Sequence, residues 1–338
     1  MFDGASRPFE GGARSAPGAS TGPGPIFLHA GWRCGSTYLW NKFRQAAGTT
    51  CFYEPFNEQL RHLTPARIRR NKADAWSSRH PPLDRPYYAE YADVLTWRGV
   101  RGFSERFALE RYFPAQDGTA EEVSYLERLA SIGRHNRTAL VFGFSRSLAR
   151  VRPLREAFGG VHIVVRRDPV QQWLSCRSYR VGEGSDYFEA CHFLILALAP
   201  PGSEAAEIAG RLGIPRPPVD GVKRQLRWLR SSFGAWSDEL SYRVFRTVHA
   251  LSYLKAEAHA DVVFDVDDLT RSLPHRLAMQ GTLARHTHLG VDLSDCRTPR
   301  RDTSRLPVDF AAIDRAVETD LGIESSQPCT RSRACAGA

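Results

Sequence analysis

Short, uninterrupted apolar runs separated by helix-length segments constrain this chain more than any other feature. Residues 25–30 (PIFLHA), 49–53 (TTCFY), 138–144 (TALVFGF), 161–165 (VHIVV) and 261–266 (DVVFDV) are five such runs. They lack the apolar–polar alternation of a strand with one wet face and read as strands buried on both sides. Between and after them the spacing predicts helices over 36–47, 120–134, 148–158 and 169–180, then over about 185–199, 219–258, 275–289 and 307–321. Gly48 sits where a helix-ending glycine is wanted, and Pro169 at a first helical position. Strands alternating with helices imply an α/β fold: a central parallel sheet flanked by helices. Such sheets bind ligands beyond the carboxyl ends of their strands. Residues 57–118 hold scattered Pro, Trp and Tyr with no period that decides between helix and strand.

The chain has 338 residues, 42% of them apolar, enough for a sizeable core. At roughly 150 residues per domain the length allows two domains, but single α/β domains also reach it. The pattern favours one domain over 25–324, with insertions at about 57–118 and 181–255. Residues 1–24 and 325–338 are poor in large apolar side chains and are expected to be disordered tails. A charged share of 25% excludes general disorder. The net charge of +9 favours an anionic ligand without requiring nucleic acid. Lysines number only four, Lys42, Lys72, Lys223 and Lys255. An arginine bias suits anion recognition through guanidinium forks, and equally reflects a GC-rich genome. The seven cysteines are scattered without a CxxC pair, so metal-ligand spacing and a disulfide framework are not expected. The longest apolar run, 193–199, is far short of the roughly 20 residues that span a bilayer. With no basic-then-apolar leader pattern at the N-terminus, a reduced, soluble, cytoplasmic protein is expected.

Polar motifs fall just after the apolar runs. The first run enters His29-Ala-Gly-Trp-Arg-Cys-Gly-Ser-Thr37. Gly31 and Gly35 permit close backbone approach, Ser36 and Thr37 put hydroxyls at a helix start, and Arg33 adds a charge. The N–H groups and dipole of such a helix start favour an anion. A nucleoside-triphosphate loop of the form GxxxxGK[ST] needs a lysine before Ser36, and none is there. An ordinary glycine-containing turn remains the alternative for this segment alone. The fourth run ends in Arg166-Arg167-Asp168-Pro169, with Ser175 two turns into the next helix. A guanidinium and a hydroxyl on one side of a strand–helix junction suit a phosphate monoester, although Arg-Asp at a strand end also makes surface ion pairs.

Together the two segments resemble the PAPS-dependent sulfotransferases. Their first motif, Pro-[Lys/Arg]-Ser-Gly-[Ser/Thr]-[Ser/Thr], is matched by Arg33-Cys34-Gly35-Ser36-Thr37, with Trp32 in place of Pro and Cys34 in place of Ser. Their second, Val-Arg-[Asp/Asn]-Pro with Ser eight residues after the Arg, is matched by Arg167, Asp168, Pro169 and Ser175. A softer match is Phe264-Asp-Val-Asp-Asp-Leu269, similar to the family's Tyr-Glu-Asp-Leu. The resemblance covers roughly 25–60 and 138–290. It implies a P-loop-containing, nucleotide-kinase-like fold and PAPS as sulfuryl donor. The product would be 3′,5′-ADP, the acceptor a hydroxyl of a carbohydrate, peptide or small metabolite, and no metal would be required. By the same resemblance Arg33, Cys34, Gly35, Ser36 and Thr37 hold the 5′-phosphosulfate, and Arg167 and Ser175 the 3′-phosphate. Arg33 further stabilises charge on the leaving phosphate.

Glu54, 21 residues after Arg33 at the end of the second run, resembles the glutamate base of the protein-tyrosine and some bacterial carbohydrate branches. A surface ion pair or cap is its alternative, and Glu58 and His29 are weaker candidates for the base. Arg146, after the third run, would add a second cation at the bridging oxygen, or is a solvated arginine. The basic tract 297–302 either closes over the nucleotide or is a solvated linker. Two other functions stay open: a P-loop kinase-like phosphotransferase, and a basic nucleic-acid-binding protein, which predicts a contiguous basic stripe with interleaved aromatics where the arginines here are dispersed. The residues in 57–118 and 181–255 are expected to line the acceptor site.

Overall fold

The computed structural model describes residues 24–70, 83–114 and 118–323. Apart from Gly24, the two expected tails lie outside the described residues. β1 (Ile26–Ala30) runs into α1 (Ser36–Gln45) and then β2 (Thr49–Tyr53). Single turns follow, with a short helix α2 (Pro65–Arg70) and a small antiparallel hairpin of β3 (Leu95–Thr96) and β4 (Gly99–Val100). α3 (Ala120–Asn136) leads to β5 (Ala139–Phe144), and α4 (Val151–Phe158) to β6 (Val161–Arg166). A helical block comprises α5 (Pro169–Glu183), α6 (Tyr187–Ala197), α7 (Glu204–Arg211), α8 (Val222–Phe233) and α9 (Asp238–Glu257). β7 (Val262–Asp265) is followed by α10 (Val266–Arg271), α11 (Leu273–Thr287) and α12 (Phe310–Asp320).

The five apolar runs form one parallel sheet in the order β2-β5-β1-β6-β7. All five residues of β1, the central strand, are buried, which is why its sequence is apolar without alternation. Parallel pairing puts every strand's carboxyl end at one edge. Arg33, Glu54, Arg146 and Arg167 therefore meet there, although 134 positions separate the first from the last. α1 and α3 pack on β2 and β5, and α9 packs Tyr253 and Ala256 against Val164 of β6.

Two expectations need correction. The helix expected over 219–258 is two helices, because Gly234 leaves α8 with φ 73° and Ser237 caps α9 by accepting from the Leu240 amide. α7, capped by Ser203, lies in a stretch with no predicted helix. The undecided 57–118 region attaches to the sheet edge through Tyr87, Tyr88 and Tyr91, all buried against β2. α6 is buried from Glu189 to Ala197 and forms the centre of a second core with α7, α8 and α9.

His29 belongs to the core. Its Nδ1 lies 2.7 Å from Ser147 Oγ and its Nε2 3.0 Å from His162 Nδ1, while His162 Nε2 is 2.9 Å from Gly159 O. The carbonyl can only accept, so His162 donates from Nε2, and with both rings neutral His29 donates from Nε2 and accepts from Ser147. Burial lowers the pKa of both histidines, as it does for His249 and for His192, which falls to about 3. A histidine that stays neutral when folded but protonates at ~6.5 when unfolded favours the unfolded state as pH drops. The stability is intact above ~6.5 and is lost toward the folded pKa, by up to ~1.4 kcal/mol per pH unit per group. Melting temperature should therefore fall between pH 7 and 5. His192→Phe, which keeps the edge contacts to Trp32 and Phe245, should flatten that fall; an unchanged slope would exclude His192 as a contributor.

Candidate functional site

The loop after β1 is shaped by its backbone. Arg33 takes φ 66° and Gly35 φ 92°, so the chain turns back and enters α1 with no side-chain cap on its first amides. A left-handed non-glycine residue is strained by roughly 1 kcal/mol or more and persists only where neighbours hold it. Here Gln172 Nε2 donates to Trp32 O at 2.8 Å and Arg167 Nη1 to Arg33 O at 3.2 Å. With its carbonyls engaged from behind, the loop presents uncapped N–H groups at a helix start, an anion cradle. A Cβ at Gly31 would come within 2.6 Å of Gln172 Nε2, so a side chain there would displace the group that holds the Trp32 carbonyl. The Cys34 side chain is fully buried and donates to Gly31 O; burial pushes its thiol up to about 11. Only its backbone is placed to meet a ligand. Thr37 Oγ1 lies 3.0 Å from Tyr53 Oη.

Arg33 reaches across to α5. Its Nε donates to Ser175 Oγ at 3.2 Å, and its guanidinium stacks over Tyr179 at 4.8 Å and Phe188 at 5.7 Å. The two phosphate-binding segments expected from sequence are thus in direct contact. Asp168 caps α5 through the Gln171 amide, while its own amide donates to Asp267 at 2.7 Å. The basic tract is also brought in: Arg167 Nη2 donates to Pro299 O, and the Gln171 amide group makes two bonds to the Arg301 backbone. Burial lowers the pKa of Arg167, and the Arg301 and Arg33 charges lower it further, against the pull of Asp267. Cations held this close are stabilised by an anion between them. A cleft of about 460 Å³ opens beside Arg167 at the ends of β6 and β7, its arginines facing as many carboxylates. A larger cleft of about 680 Å³ at the start of α8 contains none of the expected site residues.

Glu54 and Arg146 form the third part. Glu54 has φ 49°, fixed by its amide bond to Gly143 O at 2.7 Å, and is buried. Its Oε2 accepts from Ser145 Oγ at 2.6 Å and from Arg146 Nη1 at 2.9 Å. Arg146 Nη2 bonds Glu58 at 3.0 Å and Tyr187 Oη at 2.9 Å, and Tyr187 donates to Glu58. Arg146 is not solvated: it is 2% exposed and lies over the Trp32 ring at 5.0 Å. Burial raises the Glu54 pKa, opposed first by Arg146 and then by Ser145. Arg146 itself is held well above the ordinary guanidinium value, because Tyr187, Glu58 and Glu54 outweigh its burial. His29, with both ring nitrogens committed in the core, stands apart from this cluster.

Sequence reasoning missed Trp32, Tyr53 and Tyr187. Trp32 links the anion cradle to Arg146, and Tyr187 lies 129 positions from Glu58; no local spacing signals such pairs. Among the described residues no group of three or more His, Cys, Asp or Glu side chains is arranged to hold a metal ion. Nor is any described helix long and apolar enough to cross a membrane.

No protein-family model matches the chain, and no curated protein matches it. Among solved structures, a sulfotransferase from Alicyclobacillus acidocaldarius aligns at 14% identity with a TM-score of 0.40, covering 89% of this chain and 95% of that one.

Arg146 neutralises two carboxylates that it also buries. Removing one partner of a buried pair strands the other, at about 3–5 kcal/mol. Arg146→Met should lower the urea unfolding free energy by that amount, and adding Glu54→Gln should restore part of it. A loss below about 1 kcal/mol would mean that the cluster opens to water.

Proposed function

We propose that this chain is a PAPS-dependent sulfotransferase that moves a sulfuryl group to a hydroxyl of a carbohydrate, peptide or small-metabolite acceptor. The observation that carries this reading is the direct joining of the two anion-binding segments, Arg33 to Ser175 and Arg167 to the Arg33 carbonyl. A nucleotide phosphorylated at both the 5′ and 3′ positions needs two such sites side by side, and a buried carboxylate adjoins them through Trp32 and Arg146.

In this reading the uncapped amides of α1, with Ser36 and Thr37, hold the 5′-phosphate. Arg167 and Ser175 hold the 3′-phosphate. The acceptor oxygen attacks sulfur in line, the bond from sulfur to the phosphate oxygen breaks, and the acceptor proton passes to Glu54. The Ser145 and Arg146 side chains both bond Oε2, so that proton is assigned to Oε1. A carboxyl raised by burial is the better base near neutral pH. Arg33 faces the charge that develops on the leaving phosphate; a guanidinium keeps its proton and acts electrostatically. Arg146 adds a second positive charge beside the acceptor and keeps Glu54 ionised.

The kinase alternative lacks the lysine before Ser36. Against the nucleic-acid alternative, several arginines among the described residues are matched locally by carboxylates: Arg155 with Asp261, Arg177 and Arg180 with Asp238, Arg230 with Asp186.

The 3′,5′-ADP product should raise the melting temperature with ligand concentration and without Mg²⁺. Arg167→Ala, losing a charge-assisted bond worth about 1.5–3 kcal/mol, should weaken 3′,5′-ADP about ten- to hundredfold. 5′-AMP should lose less, a residual coming from the Arg33 carbonyl that Arg167 also braces. Equal losses would refute the 3′-phosphate assignment, and binding of ATP with Mg²⁺ but not 3′,5′-ADP would favour the kinase. Mass spectrometry of a cell extract incubated with enzyme and PAPS should show a product heavier by one SO₃.

With that acceptor in hand, Glu54→Gln should cut kcat about 10²–10⁴-fold while leaving 3′,5′-ADP affinity within a few-fold of the parent. Near-normal turnover would move the base to Glu58.

A further inference from the structure

Tyr53, the last residue of β2, and Glu54, which follows it, send their side chains to different halves of the site. Glu54, in its left-handed conformation, turns to Ser145 and Arg146. Tyr53 turns to α1, where its hydroxyl lies 3.0 Å from Thr37 Oγ1. The Tyr53 ring is clamped by Trp40 at 4.7 Å, Tyr87 at 4.8 Å and Tyr88 at 5.8 Å, and its carbonyl accepts from Tyr91 Oη. Its hydroxyl is therefore held in place rather than swinging.

A threonine hydroxyl has a single proton. If Thr37 donates to Tyr53, it has none left for an anion in the loop; if Tyr53 donates, the Thr37 proton stays available. We propose that Tyr53 is a positioning residue of the donor site: its hydroxyl donates to Thr37 Oγ1 and thereby turns the Thr37 proton toward the 5′-phosphate group. Burial raises the Tyr53 pKa well above the ordinary phenol value, so it remains a neutral donor throughout the working range. A donor bonded to a second donor is polarised by it, which strengthens the outer bond. Through Tyr53 at the end of β2 and the residue that follows it, the 5′-phosphate contact and the carboxylate of Glu54 share one rigid support.

The inference rests on the donor-binding reading above, and its test uses binding alone. Affinities of 3′,5′-ADP, 5′-AMP and 3′-AMP are measured for the parent, Tyr53→Phe, Thr37→Val and the double variant, with melting temperatures to confirm folding. Phenylalanine keeps the ring clamp and removes only the hydroxyl. Tyr53→Phe should weaken 3′,5′-ADP and 5′-AMP about three- to tenfold, the range of one neutral hydrogen bond, and leave 3′-AMP unchanged. The double variant should bind no worse than Thr37→Val, because Tyr53 acts through Thr37. Equal weakening of all three nucleotides, or additive losses in the double variant, would make Tyr53 a packing residue and overturn the proposal. A parent protein that binds 5′-AMP and 3′,5′-ADP while Tyr53→Phe binds them equally well overturns it and leaves the donor reading standing. A parent that binds none of the three overturns both.

Discussion

Everything at the carboxyl edge of the sheet depends on how the loop after β1 is held. Its backbone occupies the left-handed region twice, once at a non-glycine residue, and would relax if left alone. Two side chains from the β6–α5 junction prevent that by taking the Trp32 and Arg33 carbonyls. The consequence is directional: the Trp32 and Arg33 carbonyls are turned to the protein, beside the start of α1, which has no side-chain cap. The same residues make the loop after β1 and the β6–α5 junction one unit. Arg167 cannot move without releasing the Arg33 carbonyl, and Arg33 cannot leave Ser175 without giving up its place against the Tyr179 and Phe188 rings.

The second constraint is electrostatic. A carboxylate buried as deeply as Glu54 would normally neutralise by taking up a proton, while a carboxylate paired tightly with arginine would lose its basicity. Arg146 is shared with Glu58 and Tyr187 and lies over an indole face, so its charge is divided. Glu54 is left with a pKa raised by burial, a shift that its ion pair with Arg146 opposes. Dividing one cation among several partners leaves both effects in place.

How much of this was legible in the sequence follows from the range of each interaction. The central strands announced themselves because both faces are buried, β7 because it is apolar although it alternates buried and half-buried residues, and the two proposed anion-binding segments because each is local. Glu54 and Arg146 were visible only as strand-end residues; that they pair with each other needs a contact across 92 positions. The break between α8 and α9 was hidden because Gly234-Ala-Trp-Ser237 keeps an apolar residue in step with the helical period. The 57–118 region was opaque because tyrosines on single turns, rather than a periodic face, attach it to β2.

The arginine bias shows where composition alone misleads. Read as a charge, +9 points outward to an anionic ligand; in the fold, many guanidinium groups point inward. Arg44, 4% exposed, uses all three nitrogens on the Glu90 carboxylate and the Arg85 and Pro86 carbonyls. Arg150, fully buried, donates to the Phe107 and Arg146 carbonyls, stacks on Phe56 at 4.1 Å, and has its pKa lowered by burial to about 10. A lysine ammonium is a compact point and cannot reach acceptors arranged around a plane. Arginine is thus the residue that can tie loop carbonyls to a core and still carry charge. Arg33 and Arg167 belong to the same design: Arg167 braces the Arg33 carbonyl, and Arg33 ties its loop to Ser175 of α5. The scaffold and the site are built from one side-chain type, so the excess charge marks where backbone is being held as much as where a ligand goes.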